Sequence, residues 1–338
     1  MKKVTMQDIA DHLNISKNSV SQALRNKSGV SQQTKEAVLQ AAELLGYNYS
    51  ERKVKKSSLK FILFATNFAL SQTSFFGELV SSIQNKCMKE NIELTIQEID
   101  PILFETLEIP NDLHHYDGVL ILSHSNNEWI KKIIDTNIPT VIVDHHDPTL
   151  LSDTILTKNT DGAFSAMSLL VENGYKNIGF IGDISFSPSY LERYRGYKRA
   201  VEHFELPFEK ENIITEIEES QGALFTKLNQ IDDMPEAWFC VNSGLAFMLH
   251  SFLQSREFNI PEDIGIICFD DTEFTRMAQP KITNVATNLE FMGALSISTL
   301  LERIDEPNQP FIHKQIVPTI NVNESIRKNK GASARLTT

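Results

Sequence analysis

The chain has 338 residues, a formal net charge of −12 and 41 % hydrophobic residues, a length that suits two to three domains. Its longest apolar run, Leu59 to Leu70, is broken by Lys60, Thr66 and Asn67, so it is too short to span a bilayer. Three cysteines, Cys87, Cys240 and Cys268, lie far apart with no CxxC spacing, which argues against a disulfide or metal framework and for reduced thiols.

The charge is unevenly placed. Residues 1–60 hold 11 Lys and Arg against 5 Asp and Glu, a net of +6, which leaves −18 for residues 61–338. A basic module favours a polyanion, and an acidic body is repelled by one. Lys2 and Lys3 precede no apolar segment, so the start does not read as a signal peptide and a cytoplasmic protein is expected.

In chain order, Met6, Ile9, Ala10 and Leu13 fall at helical spacing and predict a first helix with one apolar face. Thr5 and Asp8 stand at the spacing of a capping box. Ser16 is placed to cap a second helix whose only apolar residues are Val20, Ala23 and Leu24. Its other faces carry Lys17, Asn18, Ser19, Ser21, Gln22 and Arg25. After a turn over Asn26 to Val30, Ser31 is placed to cap a third helix with Thr34, Val38, Ala41 and Leu45 on one stripe and Gly46 at its end. A helix, a tight turn and a polar-faced second helix predict a helix-turn-helix. In that arrangement Lys17 can donate to guanine, and Asn18 and Gln22 can pair with adenine. Ser16, Ser31 and the helix N-termini can hold phosphates. The alternative is a three-helix packing module with a solvated polar face.

Residues 4–47 resemble the headpiece of the lac repressor (LacI/GalR) family, matching at Thr5, Asp8, Ala10, Val20, Ser21, Leu24, Asn26, Val30, Ser31, Thr34, Val38, Ala41, Leu45, Gly46 and Tyr47. The resemblance implies a transcription regulator with Lys17, Asn18 and Gln22 as base readers and Thr5, Ser21 and Asn26 as further DNA contacts. Gln22 stands where most members have Arg, so the operator is expected to depart from the usual one. Residues 49–60, YSERKVKKSSLK, form a basic linker. The family's Ala-Arg-x-Leu hinge motif, whose Leu wedges the minor groove, is replaced by Lys53, Val54, Lys55 and Lys56. Either Val54 acts as a weaker wedge, or the linker is a basic tether on phosphates.

From residue 60 the pattern alternates. KFILFAT, IELTIQE, DGVLILS, TVIVD, NIGFIG, AWFCV and IGIICFD read as strands. Phe76 to Glu90, Asn127 to Thr136, Ala163 to Asn173, Tyr190 to Phe204, Leu245 to Glu257 and Leu289 to Ile304 read as helices. Such alternation predicts parallel sheets covered on both faces, and its length predicts two of them. Ligands of such folds bind beyond the carboxyl ends of the strands. No phosphate loop, nucleophile elbow or HExxH motif is present, and Asp270-Asp271 has no nucleophile or base beside it in sequence. His114-His115 and His145-His146 read as loop residues rather than metal ligands.

The body resembles, more weakly, the family's periplasmic-binding-protein-like (type I) effector domain. The expected fold is therefore an N-terminal all-α helix-turn-helix headpiece, residues 1–48, a linker, 49–60, and an α/β domain of two doubly wound parallel-sheet subdomains, 61–338. The N-subdomain is expected over about 61–157 and 289–318, and the C-subdomain over about 158–288 and 319–338. The resemblance places Phe75 and Phe76 at a ligand-stacking aromatic pair, and Ser123 and Asp144 at strand-end cleft positions. It places Arg193 of ERYRGYKRA in the family's R-x-x-G-[FY]-x-x-A, Asn242 in its N-D-x-x-A, and Asp270 in its G-F-D-[DN], with Ser243 for Asp and Cys268 for Gly as departures. Arg193 and Asp270 can grip vicinal hydroxyls; alternatively they form an ion pair that holds the cleft.

The expected function is that of a homodimeric repressor, not an enzyme. It binds a pseudo-palindromic DNA operator and is controlled by a small sugar-like effector in the cleft, with no cofactor, metal or membrane partner. The tail after Asn323 lacks an apolar heptad, so no tetramerising coiled coil is expected. The rival reading is a cytoplasmic sugar-binding module without regulatory DNA contact.

Overall fold

A computed structural model describes residues 4–24, 30–45, 47, 58–72 and 74–328. The chain divides into two compact units, Met1–Ser58 and Leu59–Thr338.

The first unit holds three helices, α1 (Met6–Leu13), α2 (Lys17–Leu24) and α3 (Gln32–Leu44). Each begins at a hydroxyl cap. Thr5 and Asp8 form the reciprocal capping box. Ser16 Oγ accepts from the Ser19 N–H at 3.0 Å and Ser31 Oγ from the Thr34 N–H at 3.2 Å. Asn14 ends α1 in the left-handed conformation, which asparagine tolerates better than most residues. Ile9, Ala10, Val20, Ala23, Leu24, Val38, Ala41, Ala42 and Tyr47 make the shared core. Burying each of Ile9, Val20 and Val38 completely stabilises the unit by roughly 1.5–3 kcal/mol before entropy is counted. The predicted turn over Asn26 to Val30 has only Val30 among the described residues, and Gly46 also lies outside them.

The second unit contains two six-stranded sheets. The first is built by β1 (Lys60–Ala65), α4 (Asn67–Ser71), α5 (Phe75–Lys89), β2 (Glu93–Glu98), α6 (Pro101–Thr106), β3 (Gly118–Leu122), α7 (Asn127–Ile134), β4 (Thr140–Val143) and β5 (Asp153–Thr157). The second is built by α8 (Asn159–Glu172), β6 (Ile178–Ile181), α9 (Pro188–His203), β7 (Ile213–Ile214), α10 (Gln221–Leu228), β8 (Ala237–Cys240), α11 (Ser243–Ser255), β9 (Gly265–Phe269), α12 (Glu273–Met277) and β10 (Thr283–Ala286). Then α13 (Leu289–Asp305) returns to the first sheet, which gains β11 (His313–Ile316), and β12 (Thr319–Asn321) joins the second. The orders are β11-β5-β4-β3-β1-β2 and β12-β10-β9-β8-β6-β7. Every pairing is parallel except β10 with β12.

Parallel strands buried on both faces read as continuous apolar runs, and β1, β3, β4, β6, β8 and β9 do. Around the first sheet, Leu79, Ile83, Met292, Ile297 and Leu300 cover one face and Trp129, Ile130 and Ile133 the other. The second lobe has one large core that includes Tyr197, Phe239 and Phe269. The chain passes between lobes three times, after β5, after β10 and after β11. These crossovers are joined. Thr157 and Thr287 hydroxyls lie 2.9 Å apart, the Lys158 N–H donates to Ile316 O at 2.9 Å, and Gly162 leaves no room for a Cβ against Pro318 and Phe269.

Five strands depart from the sequence pattern for identifiable reasons. Strand β5 buries Asp153, Thr154 and Thr157, and β10 buries Thr283 and Asn284, so neither is an apolar run. Strands β11 and β12 are polar edges, and β7 has two residues. Of the predicted helices, α7 and α13 start where expected, and α5, α8, α9 and α11 start earlier, α9 and α11 because a side-chain cap lies upstream of the apolar stripe. Ser187 Oγ accepts from Tyr190 N at 3.3 Å, which starts α9 at Pro188.

Candidate functional site

The cleft between the lobes is built from strand ends. The residues immediately after β3, β4 and β9 are Ser123, Asp144 and Asp270, with φ of 71°, 58° and 70°. Left-handed backbone is uncommon outside glycine and is least costly for Asn and Asp. Here it ends each strand at the cavity wall. That cavity has a volume of about 360 Å³, within the range of small-molecule sites. Phe75, Phe76, Ser123, Asp144, Arg193, Asn242 and Asp270 all line it, so the structure brings the seven sequence-predicted cleft residues together.

Arg193 anchors the floor and is buried. Its Nε donates to Asn159 Oδ1 at 3.0 Å, and Nη1 to Val241 O at 2.8 Å and to Asp270 Oδ2 at 3.2 Å. Nη2 donates to Asp270 Oδ1 at 3.3 Å, and the guanidinium lies 4.0 Å from the Phe269 ring centroid. Four of the five N–H groups of an arginine fork are thereby used within the protein, and one remains for a ligand. The ion pair weighed in the sequence is formed, and it still faces the cavity. The surrounding motif is also explained. Gly196 lets α9 approach α8 so closely that a Cβ would collide with the Thr160 carbonyl oxygen. The Tyr197 hydroxyl donates to Ile178 O at 2.7 Å, and Ala200 is buried.

Asn242 caps α11, its Oδ1 accepting from Leu245 N at 2.8 Å, while Nδ2 donates to both Glu219 carboxylate oxygens at 2.9 Å and to the Tyr190 hydroxyl. Burial pushes Glu219 upward despite its bonds to Asn242 and Tyr190. Burial also raises Asp270 in spite of Arg193. For Asp144, burial is the largest cause, opposed by Arg193 and reinforced by Asp270 and Glu192, and its carboxyl is pushed up to about 7. No hydrogen bond to its carboxylate contributes. The folded state thus keeps a proton that the unfolded chain has lost between pH 3.8 and about 7, so stability falls as pH rises through that window. Asp144→Asn is expected to stabilise the effector domain at pH 8 by on the order of 2 kcal/mol and to do nearly nothing at pH 4. Melting curves of both proteins at the two pH values check this; an equal gain at each pH would remove titration as the cause.

Several lining residues carry no signal in motif or periodicity: Phe68, His124, Phe186, Tyr190, Glu219 and Phe274. Phe68 packs on Phe76, His124 and Phe186 with centroids 5.9, 5.5 and 5.0 Å away, so rings from both lobes meet across the cleft. Taking the loop after every predicted strand, rather than only motif positions, would have reached Phe68, His124 and Phe186. A larger, shallower groove of about 970 Å³ runs over the outer face of α5 and α13 and shares only Gln72 with the cleft. No group of three or more metal-ligating side chains occurs among the described residues. His145 is held by Asn127 at 2.9 Å and, through burial, lowered to about 4. The three thiols are buried and raised by burial, Cys87 to about 12.

In the first unit Lys17 and Asn18 are exposed and Ser21 and Gln22 partly so, along one side of α2 opposite Val20, Ala23 and Leu24. Thr5, Ser16 and Ser31 are exposed at the three helix starts. Asn26 and Val54, the other two predicted DNA contacts, lie outside the described residues.

A helical reader joined to a two-lobed binding domain defines a class: DNA-binding transcription regulators with an effector domain. Residues 5–50 match the bacterial regulatory proteins of the lacI family, and residues 167–326 match a periplasmic binding protein-like domain. The two matches together give the make-up of a LacI-family transcription regulator, a lacI-type DNA-binding region followed by a periplasmic binding protein-like domain. A probable HTH-type transcriptional repressor ExuR of Bacillus subtilis is 27 % identical over 90 % of this chain and 92 % of its own. Among solved structures, a transcriptional regulator CelR–cellobiose complex superposes with a TM-score of 0.70 at 20 % identity, covering 95 % of this chain and 99 % of that one. The lac repressor dimer bound to operator and the anti-inducer ONPF gives 0.68 at 20 %, covering 97 % and 100 %. These likenesses establish the fold. No helix among the described residues is long and apolar enough to cross a membrane.

Proposed function

We propose that the protein is a homodimeric repressor that occupies a pseudo-palindromic operator and releases or tightens on it when a small sugar-like metabolite fills the cleft. The convergence of all seven predicted residues on one cavity carries the effector half of this reading. The polar face of α2 supports the DNA half, with Lys17, Asn18 and Gln22 as base readers and Ser16 and Ser31 on phosphates. Residues 1–48 are the reader, 49–60 the tether and 61–338 the sensor. The groove on α5 and α13, with Met88 and Phe291 exposed beside it, suits a second copy of the chain, because a two-fold protein matches a two-fold site. The site of action is the cytoplasm.

Selection of random duplex DNA by the purified protein tests this directly. Enrichment of an inverted repeat is the expected result; failure to enrich any repeat, with and without added sugars, would favour a binding module without DNA contact. On the selected site, Gln22→Ala is expected to weaken binding by about 1–3 kcal/mol and to relax preference at one base pair in each half-site. Uniform weakening over all sequences would instead make Gln22 a phosphate contact.

A further inference from the structure

The charges in the cleft do not balance. Four carboxylates line it, Asp144, Glu219, Asp270 and Glu273, against the single cation Arg193. That cation is already bound to Asp270, Asn159 and Val241. Burial keeps His124 lowered and so neutral near pH 7. Beyond the Phe68–Phe186 contact the cavity continues into a groove carrying Asp183, Glu216 and Glu218 as well as Glu219, with Lys227 its one cation. A ligand bearing a carboxylate or phosphate would meet these carboxyl groups and a single unused Arg193 N–H. The Asp144 carboxyl, raised by burial and by the neighbouring Asp270 and Glu192 carboxylates, has no internal hydrogen bond among the causes of its shift. The walls are aromatic, with Phe68, Phe76, Phe186, Tyr190 and Phe274, and ring faces attract cations. An excess of carboxyl groups, an arginine with one N–H left and aromatic walls together describe a receptor for positive charge.

We infer that the effector is a cationic, amine-bearing sugar-sized molecule of the amino-sugar class, its ammonium group set against Asp144 and its hydroxyls on Arg193, Asp270 and Ser123. This inference rests on the cleft being the effector site. Cation binding would return Asp144 to its ionised form.

Calorimetric titration of the full-length protein at pH 7 tests it with D-glucosamine, D-galactosamine and D-mannosamine, their neutral parents glucose, galactose and mannose, and N-acetylglucosamine and glucuronate. At least one amine is expected to bind about tenfold or more tightly than its parent, the size of a single desolvated cation contact. N-acetylation should remove that gain, and Asp144→Asn should shrink the ratio of amine to parent affinity towards one. Parents or glucuronate binding as tightly as the amines would overturn the inference and leave the cleft as effector site. Binding that Asp144→Asn does not alter would also overturn it. No binding by any compound would overturn both the inference and the sugar-sized reading of the cleft.

Discussion

Replacement of Arg303 by methionine is expected to lower the stability of the effector domain by about 3–5 kcal/mol, the cost of removing one partner of a buried ion pair. Asp153 is fully buried at the start of β5, and Arg303 near the end of α13 meets it with Nε at 2.8 Å and Nη2 at 2.9 Å. The same guanidinium donates to the carbonyls of Pro307, Gln309 and Pro310 at 3.2, 2.6 and 3.0 Å, and Asp153 also accepts from Ile312 N at 2.9 Å. One side chain therefore ties a helix, a strand and the loop that delivers β11. Methionine keeps the apolar stem, leaves the carboxylate only the Ile312 N–H and deprives three carbonyls of their Arg303 donor. Urea unfolding followed by the fluorescence of buried Trp129 and Trp238 reads the loss. Arg303→Met combined with Asp153→Leu is expected to recover part of it, since the stranded charge is gone. A single-mutant loss under about 1 kcal/mol would show that the site relaxes and admits water.

Arg193→Ala is expected to act on two levels. It strands Asp270, Asn159 and the Val241 carbonyl in the floor of the cleft, costing again about 3–5 kcal/mol. It should also abolish the effector response while operator binding, measured well below the melting temperature, persists, because the DNA-reading helices have their own core. Arg193→Lys should not rescue, since an ammonium cannot reproduce the bidentate contact. A normal effector response in Arg193→Ala would place the effector elsewhere. Because fold and function are entangled at Arg193, Asp144→Asn is the sharper probe of the cleft.

Much of this architecture is legible in the sequence for a physical reason. Buried parallel strands announce themselves as apolar runs, and hydroxyl caps at Thr5, Ser16 and Ser31 mark helix starts. The exposed polar side of α2 is visible because its apolar residues occupy one face only. Strand β5 is not legible, because Asp153 looks like a surface residue until Arg303, 150 positions away, supplies its partner. The same holds within the cleft. Arg193, Asn242 and Asp270 sit in recognisable local patterns. Phe68, Phe186 and Glu219 matter only because folding sets distant loops opposite one another, and no local spacing encodes that.

The three joined crossovers have a mechanical consequence. One connector between two lobes would be a swivel, free to twist, slide and tilt. Three connectors side by side, coupled through Thr157 with Thr287 and through Gly162 with Pro318, act as a flexure. Twist and translation would stretch at least one of them, so tilt about a single axis is the soft degree of freedom. Occupancy of the cleft is then converted into one scalar, an angle. On the proposed reading of the cleft, a molecule would be sensed by how far it lets the flexure close, and two ligands that hold the lobes at the same tilt would be indistinguishable to everything downstream.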